Sequence, residues 1–66
     1  MKPSKFHNNL RAYALDVNES PEAADAMEKD FLQRFEALGK WDQVNISLVA
    51  DTQGFEWAFV ELDKLN

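Results

Sequence analysis

No cysteine occurs in these 66 residues and His7 is the sole histidine, so neither a disulfide nor a structural zinc site can brace the fold. A chain this short buries only about 60% of the surface it exposes when unfolded. Its hydrophobic gain and its conformational cost are therefore of similar size. Tight packing or a partner subunit must supply the margin. Five Phe, two Trp and one Tyr offer large buried areas for the first route.

One domain is the most that such a length supports. Residues 1–9 read as a loose N-terminal lead-in whose large apolar side chain, Phe6, tucks under the rest. Residues 10–66 read as a single small α+β domain. Leu10 to Val17 is expected as a first strand, with Tyr13, Leu15 and Val17 on one side and Leu10, Ala12 and Ala14 on the other.

Ser20-Pro21 then marks a helix start: Ser20 suits a cap, and Pro21 suits a first turn where no N–H is needed. Glu22 and Asp25 favour the positive end of the helix dipole. Ala24, Met27, Phe31, Phe35 and Leu38 recur at spacings of three and four, which predicts an amphipathic helix from Pro21 to Leu38 that stops at Gly39. The i,i+4 pairs Asp25–Lys29 and Asp30–Arg34 would support its wet side.

Val44, Ile46, Leu48 and Ala50 alternate with mostly polar residues, as in a half-buried strand. Asp51-Thr52-Gln53-Gly54 reads as a turn with positive φ available at Gly54. Phe55 to Leu62 reads as a third strand, with Phe55, Trp57 and Phe59 on one face and Ala58, Val60 and Leu62 on the other. The resulting expectation is β-α-β-β: one helix packed on one face of a three-stranded, mainly antiparallel sheet of order 1-3-2.

In that arrangement the sheet face opposite the helix carries Val49, Ala58, Val60 and Leu62. Uncovered apolar patches of this kind mark interaction sites. The chain is thus expected to be a small acidic non-catalytic protein-interaction module, a regulator or inhibitor that dimerises or docks through this face. The partner is a second copy or another cellular or host protein. A bacterial accessory protein or a phage-type inhibitor would suit this class. Trp41, in the loop after the helix, is a possible anchor, although core cover is the preferred reading.

Charge sets the alternative. Twelve carboxylates face seven Lys and Arg, a net charge of −5. That disfavours direct nucleic-acid binding, which needs cations to displace phosphate counterions, and it disfavours anionic membranes. Asp16, Glu19, Glu22, Asp25 and Glu28 recur at intervals of about three, so an acidic decoy that imitates DNA and blocks a nucleic-acid-binding protein is the second reading. A solvated helix face is the plainer account of the same row.

No enzyme is expected. His7 stands in the lead-in without a nucleophile beside it, Gly39 and Gly54 are too far apart for a phosphate loop, and the carboxylates lack calcium-loop spacing. Neither cofactor nor metal is expected. No stretch approaches a signal peptide or a membrane span, and the cysteine-free composition suits a cytoplasmic protein.

Overall fold

The computed structural model describes residues 4–65. These residues form four helices and no strand: α1 (Lys5–Val17), α2 (Pro21–Glu36), α3 (Lys40–Gln53) and α4 (Phe55–Leu65). The expected β-α-β-β sheet is therefore replaced by an all-helical fold. The chain divides into two compact units, Met1–Asp30 and Phe31–Asn66, with the boundary inside α2.

In the first unit, the segment read as a lead-in is helical from Lys5, while residues 1–3 lie outside the described residues. Ser4 starts α1: its Oγ accepts the His7 backbone N–H at 3.2 Å and lies 2.6 Å from His7 Nδ1. The expected first strand, Leu10 to Val17, is helical as well, and its spacing gives the reason. Leu10, Tyr13, Ala14 and Val17 stand at i, i+3, i+4 and i+7, the spacing of one helix face, and Phe6 extends that face by one turn. Ala12, Ala14, Leu10 and Arg11 are also good helix formers. Leu10 and Ala14 are fully buried.

Asn18 ends α1. Its backbone N–H donates to the Ala14 carbonyl at 3.2 Å, and its side-chain amide donates to the same carbonyl at 2.8 Å and to Met27 Sδ at 3.2 Å. Ser20 caps α2 as its sequence suggests, accepting the Ala23 N–H at 3.2 Å, and Ala24 beyond it is buried. Arg11 holds the two helices of this unit together: its guanidinium pairs with Asp25 and, at 3.1 Å, with Glu28 Oε2. Asp25 thus pairs across to α1.

The second unit is built around Phe31, which is fully buried. Its ring meets those of Phe35 at 5.9 Å, Phe55 at 5.7 Å and Phe59 at 4.7 Å between centroids. Such stacked, edge-on and tilted contacts satisfy the ring quadrupoles. Phe55, Ala58, Phe59 and Leu62 sit at i, i+3, i+4 and i+7, one face of α4, and Phe55, Ala58 and Leu62 are buried. Their reading as a two-faced strand is corrected by that spacing. α3 packs against α4 and buries Ile46. Arg34 of α2 pairs with Asp63 of α4 at 2.7 Å.

The two glycines have different tasks from those expected. α2 ends at Glu36, and Gly39, with φ −69° and ψ 164°, is the extended residue that precedes α3 rather than a left-handed stop. Gly54 does take positive φ, at 99° with ψ 163°, but it joins two helices instead of two strands. Its N–H reaches back to Val49 and Ala50 carbonyls, both at 3.2 Å, and its carbonyl accepts the Ala58 N–H at 3.2 Å. One residue closes α3 and opens α4.

Candidate functional site

α3 carries apolar residues on two opposite sides. One side holds buried Ile46 with the part-covered Gln43, Val49 and Ala50. The other holds Trp41, Val44 and Leu48, which are 77%, 51% and 58% exposed. Spacings of three and four put these three in one line along the helix, rising about 10 Å from Trp41 to Leu48. Period-two alternation in Val44, Ile46, Leu48 and Ala50 is the interleaving of these two sides. Val44 and Leu48 belong to the outer one, and Ile46 and Ala50 to the inner one.

Charges stand at both ends of the exposed stripe. Lys40, the first residue of α3, holds its Nζ 5.9 Å from the centroid of the Trp41 ring. Asp51 continues the line one turn past Leu48, is exposed, and forms no ion pair among the described residues. A smaller exposed pair, Trp57 and Val60, lies on α4 opposite its buried face, at 52% and 39% exposure.

The residues expected on a sheet face do not share a surface. Ala58 and Leu62 belong to the buried side of α4, Val60 points away from them, and Val49 is part-covered on α3. Helical geometry rotates successive residues by about 100°, so the alternation that grouped Ala58, Val60 and Leu62 separates them. Trp41, preferred as core cover, is exposed. Val44, Leu48 and Trp57 are exposed, and Trp41, Val44 and Leu48 stand at i, i+3 and i+7 in the sequence.

Among the acidic row, Asp16, Glu19, Glu22 and Asp25 are exposed and Glu28 is part-covered. Arg11 places a cation between Asp25 and Glu28, and hydrogen bonds to Asp25 first and Glu28 second raise its guanidinium above the ordinary pKa. His7 is engaged with Ser4 at the start of α1. Among the described residues no three His, Asp or Glu side chains are grouped to hold a metal ion, and no helix is long and apolar enough to cross a membrane.

No family model, curated protein or solved structure matches the chain.

Proposed function

We propose that this chain is a small acidic non-catalytic protein-interaction module that docks through the exposed stripe of α3. The observation that carries the reading is the alignment of Trp41, Val44 and Leu48 on one uncovered helix line. Helix faces of this kind bind by laying apolar anchors at i, i+3 and i+7 into a partner, with Trp the side chain most enriched among energetic anchors. The acidic row supports a decoy less well, because Arg11 interrupts it between Asp25 and Glu28. A cytoplasmic setting is part of the same proposal, in keeping with a chain that carries no disulfide.

Trp41→Ala and Leu48→Ser, singly and together, test the reading. Any assembly the native chain forms, with itself or with another protein, should weaken at least about tenfold while the helical circular dichroism is retained. An assembly indifferent to both changes would sink it.

A further inference from the structure

The charges that bracket the α3 stripe are placed against the helix dipole. A helix presents partial positive charge at its N-terminus and partial negative charge at its C-terminus. Lys40 nonetheless opens α3, with Asp42 following it in the first turn, and Asp51 sits in the last turn, where no basic residue offsets it. Both are exposed, and within the chain Lys40 gains a contact with the Trp41 ring while Asp51 gains no ion pair among the described residues. Neither charge forms an ion pair among the described residues, so both are available to an oppositely charged group of a partner.

We infer that the stripe is covered by a second copy of this chain, with the two α3 helices antiparallel about a two-fold axis near Val44. The inference rests on the docking reading of α3 and names its occupant. Reversing one copy brings Trp41 over the Leu48 of its mate, Val44 over Val44, and Lys40 beside Asp51. Each of these contacts then occurs twice or lies on the axis, as an isologous interface requires. A parallel pairing would set Lys40 against Lys40 and Asp51 against Asp51, which like-charge repulsion disfavours. The stripe is thus complementary to its own reverse in shape class and in charge.

Sedimentation equilibrium of the native chain and of Lys40→Glu, Asp51→Lys and the doubly substituted chain tests this. The native chain should dimerise, each single reversal should weaken the dimer roughly tenfold because every change appears twice, and the double reversal should restore it to within about threefold. Both substitutions move charge to the favoured ends of α3, so loss of the dimer would not come from loss of the helix.

Because the chain has no cysteine, placed thiols give an independent measurement with a short bifunctional maleimide. Val44→Cys should crosslink to its own copy. Asp51→Cys should fail to, since its mate lies about 20 Å away along the axis, yet should crosslink to Lys40→Cys in a mixture.

A chain that stays monomeric up to roughly 100 µM overturns the inference. In that event the docking reading is judged separately, by the effect of Trp41→Ala and Leu48→Ser on another partner. Efficient crosslinking of Asp51→Cys to itself, or a dimer broken by Trp57→Ala and not by Trp41→Ala, also overturns it.

Discussion

Phe31 of α2 and Phe59 of α4 meet with ring centroids 4.7 Å apart and planes tilted by 56°. The rings of Phe35 and Phe55 meet Phe31 as well. Phe31→Ala should therefore leave a cavity among these rings, because Phe31 is fully buried. The expected loss is about 3–5 kcal/mol, comparable with the whole stability of a marginal domain. Urea unfolding followed by circular dichroism measures it, and a loss below about 1 kcal/mol would contradict a buried Phe31 at the centre of this unit.

The glycines separate by backbone geometry. Gly54 at φ 99°, ψ 163° occupies a region that side chains avoid, although a Cβ there would meet open space. Gly54→Ala should cost about 1–3 kcal/mol from backbone strain alone. Gly39 is ordinary extended backbone that begins α3 without a side-chain cap. Gly39→Asp should supply the missing acceptor and stabilise by about 0.5–1 kcal/mol. Thermal midpoints moving in opposite directions for the two variants would bear out the difference.

Arg11 between Asp25 and Glu28 predicts a dependence on salt. Arg11→Met should lower the urea midpoint in dilute buffer, and the gap to the native chain should shrink near 1 M salt, where exposed charges are screened within about 3 Å. Raising the pH will not imitate the substitution. The guanidinium pKa is raised in the folded chain, so its contribution is present below the ordinary arginine value and is lost only beyond it. A gap that stays constant with salt would assign Arg11 to packing instead.

Leu62 and Val60 distinguish the helix from a strand most directly. Leu62→Lys should unfold the second unit, because it puts an unpaired charge where the side chain is fully buried. Val60→Lys, on the exposed side, should change stability by less than about 0.5 kcal/mol. In a strand with both residues on one face, the two substitutions would act alike. Circular dichroism at a fixed low urea concentration compares them.

The helix α2 was legible because Ser20-Pro21 and the stripe through Phe31 and Phe35 leave no competing period. Positive φ at Gly54 was legible for a similar reason: the residue type and its turn-forming neighbours agree. The other helices were hidden by period-two coincidences. In α4, Phe55, Trp57 and Phe59 alternate, yet Trp57 turns outward while Phe55 and Phe59 turn inward with Ala58 and Leu62. In α3, two apolar sides imitate a strand with one. The exposed stripe was therefore present in the sequence but masked by the inner residues that interleave with it. Its end charges, Lys40 and Asp51, gain meaning only once the direction of the helix is known.

Gly54 also sets how α3 and α4 come apart. Helix termini ordinarily fray one by one, so their amides exchange with solvent first. Here the inner ends of both helices are tied to the two backbone groups of one peptide residue, the N–H to Val49 and Ala50 and the carbonyl to the Ala58 N–H. Opening either end disturbs the other. Deuterium uptake at Gly54 and Ala58 should accordingly rise together and late, making the sharpest bend in the chain a point of shared protection.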